Sequence, residues 1–233
     1  EKYGLHILPM PVIIDGKTYC EGTDISLEEF YRRQSQGAVI STSQPSPGDV
    51  TAMWDRLLET HDEIVFIPMS SGLSSTCQTS LLLAAEEPYK GKVFVVDDHR
   101  ISVTQAVAAL EARNLAEAGK SAAEIKEILE KEAMDATIYI AVDTLEYLKK
   151  GGRITAAAAA LGTVLRVKPV LTIQGEKLES YAKARGMKSA FQTMLDALKH
   201  DVSTRLAPLR REGKLKIGLA NTAMEADKLE AFK

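Results

Sequence analysis

The sequence is poor in the residues that disulfide frameworks, metal centres and membrane spans require. It has two cysteines and four histidines among 233 residues. Cys20 and Cys77 show no paired spacing, which argues against a disulfide framework and suits a reducing compartment, so we expect a cytoplasmic protein. The histidines are scattered, which argues against a metal site. No apolar run reaches about 18 residues, so no transmembrane segment is predicted.

Several sequence motifs that would indicate an enzyme are also missing. The chain contains neither the G-x-S-x-G elbow of many serine hydrolases nor the G-x-x-x-x-G-K phosphate loop. It shows no signal peptide. The formal net charge of -3 gives no support to nucleic-acid binding. We therefore expect no nucleic-acid partner, no metal and no cofactor.

The order of apolar segments predicts an α/β fold. Short apolar runs alternate with segments of helical spacing through the first 150 residues, which favours a mainly parallel sheet with right-handed crossovers. Composition changes near Lys150, where Gly151 and Gly152 indicate a loop or hinge. We predict an N-terminal α/β domain over 1–150 and a smaller domain over 151–233 with a mixed or antiparallel sheet. The chain stops inside a helical pattern, so we expect that second domain to be incomplete.

Local patterns predict most of the individual elements. Asp15-Gly16 between two apolar runs predicts a β-hairpin. Ser26 and Ser46 are predicted to cap helices, the first of which should bury Leu27. The remaining predictions are strands at 64–69, 93–96, 137–142 and 215–220, helices at 102–118, 156–167 and 189–199, and a hairpin around 174–176.

The stretch Ile64–Thr76 carries the first functional signal. An apolar strand leads into a cluster of hydroxyl residues around Gly72, and a helical pattern follows. In open α/β sheets, ligands bind where strands end and helices begin, and helix N-termini favour anions. This pattern predicts a site for a carboxylate or a phosphate.

A second hydroxyl-rich segment precedes another predicted helix. Ser41, Thr42 and Ser43 lie just before Ser46, which with Pro47 has the pattern of a helix start. Helix capping alone is the alternative interpretation of either segment. Two such segments at successive strand–helix junctions favour a shared ligand site.

A serine hydrolase is the competing functional hypothesis. Ser71 could act as the nucleophile with His99 and Asp97 as its partners. Serines that precede a helix are, however, commonly caps, and the expected elbow motif is absent. A lipid-binding protein and a serine-dependent lipid hydrolase therefore both remain open at this point.

The hydroxyl segments and two further motifs resemble the DegV family, in register from Tyr3 to about Ala190. Such proteins have two α/β domains and bind a long-chain fatty acid between them. In bacteria the fatty acid-binding members present it to a separate fatty acid kinase, which forms the acyl phosphate. The motifs that carry the resemblance are the segments 13–17, 42–47, 70–76 and 143–154.

The resemblance implies roles for individual residues. The carboxylate ligands fall on Thr42 and Ser71, within a head-group site that also includes Ser43, Gly72 and Ser74. Ser75 departs from the family pattern, which usually has glycine there. Two further positions, Arg153 and Arg185, match the arginines that face the kinase. The resemblance thus implies a non-catalytic subunit whose ligand is a fatty acid and whose partner is a kinase.

Overall fold

A computed structural model describes residues 3–160, 167–173, 177–222 and 224. The chain forms two compact units. The first runs through Asp98 and also takes Ala108–Lys131. The second takes His99–Val107 and the chain from Glu132 onward. This division falls earlier in the chain than the predicted boundary at Lys150.

The first unit contains two small sheets and the helices that connect most of their strands. The strands β1, β2 and β3 form an antiparallel sheet in the order β2-β1-β3, and β4 pairs with β5 in parallel. The elements in chain order are β1 (Pro11–Ile14), β2 (Lys17–Cys20), α1 (Leu27–Ser35), β3 (Ile40–Thr42), α2 (Pro47–Leu58), β4 (Ile64–Phe66), α3 (Thr76–Ala84), β5 (Val93–Val95), α4 (Ser102–Glu117), whose first residues belong to the second unit, and α5 (Ala122–Lys131).

The predicted hairpin at Asp15-Gly16 is confirmed. Both turn residues have positive φ, 50° and 81°, as a type I′ turn requires. The Asp15 carboxylate also accepts a hydrogen bond from the Val39 amide at 2.9 Å. One aspartate therefore both forms the turn and fixes the chain that enters β3.

A buried tryptophan is at the centre of the core around α2. Trp54 is 0% exposed and packs edge-to-face against Phe66 and Tyr89, at ring-centroid distances of 5.5 and 5.2 Å. Helical spacing puts Val50 on the same side of α2, where it is also buried. This core packs α2 against the strands β4 and β5. Each of these strands is followed by a polar segment described below.

Helix α1 confirms its predicted cap but not its predicted core. The Ser26 hydroxyl accepts a hydrogen bond from the Glu29 amide at 3.2 Å, while the Glu29 carboxylate binds Arg32 and Arg33. Leu27 is 57% exposed, so its predicted burial is wrong. The sheet core accepts Phe30, and Leu27 lies one turn earlier, at the start of the helix.

The second unit contains an antiparallel sheet, which is one of the two arrangements that the sequence predicts for the second domain. The strands pair in the order β6-β7-β8, and α8 packs on all three. The turn at 174–176 lies outside the described residues. The elements are β6 (Ile138–Ala141), α6 (Glu146–Gly151), α7 (Ala156–Ala160), β7 (Val167–Ile173), β8 (Glu179–Arg185), α8 (Met187–Ser203) and α9 (Ala207–Arg211).

A polar cluster fastens α8 to the start of β6. The Tyr139 hydroxyl donates a hydrogen bond to the buried Asp201 carboxylate at 3.0 Å. Arg205 binds the same carboxylate at 3.2 Å and donates to the Met134 carbonyl at 2.7 Å. Burial and the nearby carboxylate raise the pKa of Tyr139 to about 12. The cluster is a structural tie between helix and sheet.

Two predictions in the second half of the chain need correction, and a third lies partly outside the described residues. Lys149, Lys150 and Gly151 belong to α6, and Gly152 caps the end of this helix in a left-handed conformation with φ 69°, so the predicted loop begins later. The predicted helix over 156–167 is described only to Ala160; residues 161–166 lie outside the description, and Val167 begins β7.

The segment 215–220 is not a strand, although its apolar and polar residues alternate. Ile217 is 66% exposed there, and the described chain offers no paired strand beside it. Alternation produces a strand only where a neighbouring edge supplies hydrogen bonds. Gly218 instead lies against Val103, where an added Cβ would be 2.0 Å from the Val103 Cγ1.

Across the part of the chain that the structure describes, no helix combines the length and the apolar character that crossing a bilayer demands.

Candidate functional site

Hydroxyl loop 1, residues Ser41–Ser46, joins β3 to α2. Thr42 ends β3, is exposed, and is paired with Val12 of the central strand. The Ser43 amide donates to the Pro11 carbonyl at 3.2 Å, which continues the ladder by one residue. Within the described chain, no hydrogen bond engages the hydroxyls of Thr42 or Ser43. Both hydroxyls can therefore serve a ligand without breaking a bond.

Ser46 has a structural role at the end of the same loop. Its hydroxyl accepts a hydrogen bond from the Asp49 amide at 3.1 Å, and the Asp49 carboxylate accepts one from the Ser46 amide at 3.2 Å. This reciprocal pair is a complete capping box, followed by Pro47 at the first helical position. The predicted cap is confirmed, and Ser46 is committed to it.

Hydroxyl loop 2, residues Ser70–Thr76, begins with a tight turn. Strand β4 stops at Phe66, earlier than the predicted strand end. Ser70 is 1% exposed, and its carbonyl accepts from the amides of Leu73 and Ser74 at 2.9 and 3.1 Å. Its hydroxyl accepts from the Gly72 amide at 3.3 Å. Ser70 and Gly72 thus shape the turn, and Ser71 lies exposed within it.

Ser74 caps α3 from a position before the formal start of the helix. Its hydroxyl accepts from the Thr76 amide at 3.2 Å and lies 2.8 Å from the Thr76 hydroxyl. Ser75, which immediately precedes the helix, makes no side-chain cap bond. The Ser74 hydroxyl is therefore shared between capping and any ligand.

A side-chain hydrogen bond connects the two segments. The Thr79 hydroxyl on α3 donates to the Gln44 side-chain oxygen in hydroxyl loop 1 at 3.1 Å, and both residues are half-buried. The structure thereby brings hydroxyl loop 1 to the helix that follows hydroxyl loop 2. Sequence reasoning missed Thr79, although a threonine one turn after Thr76 in an apolar helix was an available signal.

A polar cluster lies at the end of β5. The Asp97 amide donates to the Glu130 carboxylate at 3.0 Å, and Lys126 binds the Val95 carbonyl at 2.6 Å and also Glu130. Burial, followed by the effect of the Asp97 carboxylate, raises the pKa of Cys77 to about 12. The Cys77 thiol is thus held protonated and is a poor nucleophile.

The hydrolase hypothesis draws little support from this arrangement. The Asp97 carboxylate interacts with the buried Cys77 thiol. His99 belongs to the second unit, where it lines a cavity of about 10 Å³ together with Thr104, Met134 and others. That cavity has room for about one water molecule.

Metal ligands do not converge in the described residues. Within those residues, no group of three or more His, Cys, Asp and Glu side chains could hold an ion. The sequence-based expectation of no metal and no cofactor stays a prediction.

The two predicted partner-binding arginines lie at opposite ends of β8. The Arg153 carbonyl accepts from the Leu178 amide at 3.0 Å, just before the strand, and its side chain donates to the Gly151 carbonyl at 2.5 Å. Arg185 ends the strand, exposed and opposite Val167. A seven-residue strand separates them by about 20 Å.

Comparisons with known proteins agree with the sequence motifs. The model of the DegV family, described as a family of uncharacterised proteins, matches residues 1–232. A DegV domain-containing protein of Caldanaerobacter subterraneus is 31% identical over 198 residues, which are 85% of this chain and 70% of that protein.

Solved structures of similar proteins also indicate this family. A DegV family protein from Thermus thermophilus, described by its fatty acid binding, has a TM-score of 0.78 and 35% identity, covering 87% of this chain and 72% of its own. A stearic acid-binding protein from Eubacterium ventriosum has a TM-score of 0.80 and 25% identity, covering 89% and 73%. Together with the family match over nearly the whole sequence, these similarities show that the chain belongs to the DegV family.

Proposed function

We propose that this chain binds a long-chain fatty acid and holds its carboxylate between the hydroxyls of Thr42 and Ser71. The observation that carries the proposal is the connection of the two hydroxyl loops through Gln44 and Thr79. Hydroxyl donors presented from two directions suit the two oxygens of one carboxylate. Hydrogen bonds to a charged group contribute about 1.5–3 kcal/mol each, so two of them specify the head group.

The other head-group residues have graded roles in this proposal. Ser43 extends the donor surface beside Thr42, since no described bond uses its hydroxyl. Gly72 and Ser74 border the carboxylate while their own bonds hold the turn and cap α3. We assign them to shaping the site as much as to contacting the ligand.

The fatty acid is favoured over other carboxylates by the structural relatives, two of which are described as fatty acid-binding or stearic acid-binding proteins. A sixteen-carbon tail has about fourteen methylenes, and burying each contributes about 0.8 kcal/mol, roughly 11 kcal/mol gross. The tail would supply most of the affinity, and the hydroxyls would orient the head.

The second part of the proposal is presentation. In it the chain has no catalytic activity of its own, acts in the cytoplasm, and offers its bound fatty acid to a separate fatty acid kinase. Arg153 and Arg185 contact that kinase, since arginine forms forked contacts with carboxylates and phosphates. Their separation along β8 means that the partner would span the length of this strand.

Lipid extraction tests the binding proposal directly. Purified protein is extracted with organic solvent, and the extract is analysed by mass spectrometry. About one fatty acid per chain supports the proposal. Protein that carries no fatty acid, takes none up from solution, and instead reacts with a fluorophosphonate and hydrolyses a long-chain ester would support the hydrolase.

A coupled assay tests the presentation proposal. Arg153→Ala and Arg185→Ala should keep their bound lipid, while kinase-dependent acyl phosphate formation falls and the loss grows with ionic strength. Arg210→Ala, an exposed arginine on α9 of the same unit, is the matched control and should have normal coupled activity. Normal activity in both test variants would remove them from the interface.

A further inference from the structure

Thr79 contacts both hydroxyl loops at once. Its amide donates to the Ser75 carbonyl in hydroxyl loop 2 at 2.9 Å. Its hydroxyl donates to the Gln44 side chain in hydroxyl loop 1 at 3.1 Å, across 35 positions of sequence. A single residue therefore joins the two segments that the proposed carboxylate site uses.

We propose that Gln44 and Thr79 are positioning residues that set the separation of the two loops and thereby the affinity for a carboxylate. This inference rests on the proposed function, because it concerns how Thr42 and Ser71 reach the same head group. Neither Gln44 nor Thr79 needs to contact the ligand. Their effect passes through the loops that they hold.

Hydroxyl loop 1 is held at several points, and one of its hydrogen bonds leads to α3. The Ser43 amide ties the loop to β1, and the Ser46 capping box ties it to α2. Gln44 lies between these two anchors and bonds α3 through its side chain. Without that bond, β1 and α2 would still hold the loop, so the fold would survive while the position of Thr42 relative to α3 would loosen.

Hydroxyl loop 2 takes its position from the first turn of α3. The Ser74 hydroxyl caps the Thr76 amide, and the Ser75 carbonyl accepts from Thr79. The turn that carries Ser71 is therefore continuous with the helical turn that carries Thr79. The hydrogen bond from Thr79 in that turn to Gln44 therefore fixes the position of one loop relative to the other.

The expected effect is moderate and depends on the carboxylate. Loss of a neutral hydrogen bond that positions two donors should weaken fatty acid binding about 2- to 10-fold. Binding of the methyl ester, which has no charged head group, should change much less. A purely structural role would instead weaken binding of both molecules equally.

The experiment compares Thr79→Val, Gln44→Met and the double variant with the parent protein. Affinities for hexadecanoate and its methyl ester are measured by displacement of a fluorescent fatty acid, and folding is followed by thermal unfolding. Thr79→Ser retains the hydroxyl and should restore parental affinity. Thr193→Val, which removes a threonine hydroxyl bonded to the Ser189 carbonyl within α8, is the matched control.

The expected result is a selective loss for the acid in both single variants, with no further loss in the double variant because the two residues act through one bond. Parental affinity in Thr79→Val, or an equal loss for acid and ester, would overturn the positioning role while leaving the proposed function standing. A parent protein that binds neither molecule would overturn the proposed function and this inference with it.

Discussion

The two hydroxyl loops have similar compositions but enter their helices differently. Hydroxyl loop 1 leads directly into α2, where Ser46 and Asp49 form a complete capping box. Hydroxyl loop 2 first makes a tight turn on the buried Ser70, and α3 is capped by Ser74 from before the helix start. Similar residue types therefore produce a helix, α2, that starts directly after its loop and a helix, α3, that is preceded by a tight turn.

The difference shows how to separate caps from ligand candidates. In each loop the hydroxyl that caps lies within two positions of its first helical residue, as Ser46 and Ser74 do. Thr42 and Ser71 lie further from the helix, and both are exposed. The two capping hydroxyls therefore lie close to their helix starts, whereas the two predicted carboxylate ligands lie further away.

The largest expected difference between the two regions is in the rate at which their cysteine thiols are labelled. Cys20 precedes hydroxyl loop 1 and is half-buried, whereas Cys77 follows hydroxyl loop 2 and is fully buried. If Cys77 becomes accessible only through an opening that costs about 4 kcal/mol, its labelling slows roughly 1,000-fold. Ellman's reagent, with Cys20→Ser and Cys77→Ser as assignments, measures both rates. Equal rates would show that α3 opens as readily as the hairpin.

Removal of the exposed hydroxyls should have the next largest effect. Ser71→Ala or Thr42→Ala should weaken fatty acid binding roughly 10- to 150-fold with the fold intact, since each removes a hydrogen bond to a charged group. Titration with a fluorescent fatty acid measures the loss. Ser41→Ala, a neighbouring exposed serine, is the control. Parental affinity in both test variants would contradict the head-group assignment.

The raised pKa of Cys77 predicts a dependence of stability on pH at the start of α3. The folded pKa is about 12 and the unfolded value 9.0, so the folded state retains the proton while the unfolded state loses it. Stability from this group is complete well below pH 9 and falls as the pH rises toward 12, by about 1.4 kcal/mol at pH 10. Urea unfolding measures it.

Cys77→Ala isolates that contribution from other groups that titrate at high pH. The free energy of unfolding of the parent should exceed that of the variant by a margin that shrinks between pH 8 and pH 10. A margin that stays constant would show that the thiol is not held protonated by its surroundings.

Removal of the helix caps should have the smallest effect on stability. It also compares the two loops most directly. Ser46→Ala should lower the free energy of unfolding by about 1 kcal/mol because it breaks a complete capping box. Ser74→Ala should cost about 0.5 kcal/mol, since it removes a single hydrogen bond of 3.2 Å. Urea denaturation compares them. A larger loss of unfolding free energy in Ser74→Ala than in Ser46→Ala would show that hydroxyl loop 2 depends more strongly on its cap.

Local patterns in the sequence were sufficient for the hairpin and for the caps. The Asp15-Gly16 turn and the caps at Ser26 and Ser46 follow from interactions between residues at most four positions apart, and the structure contains them. The predicted burial of Leu27 and the predicted strand over 215–220 were wrong because burial and strand pairing depend on surfaces supplied from distant parts of the chain.

The sequence by itself determined the family, the α/β class and the residue types at the two strand–helix junctions. Motif composition and short-range spacing are properties of the chain alone. Only the tertiary structure decided that β6 belongs to the second unit, that Arg153 and Arg185 lie at opposite ends of β8, and that Thr79 bonds Gln44. These relations depend on strand pairing and packing between residues far apart in sequence, and no local pattern specifies such partners.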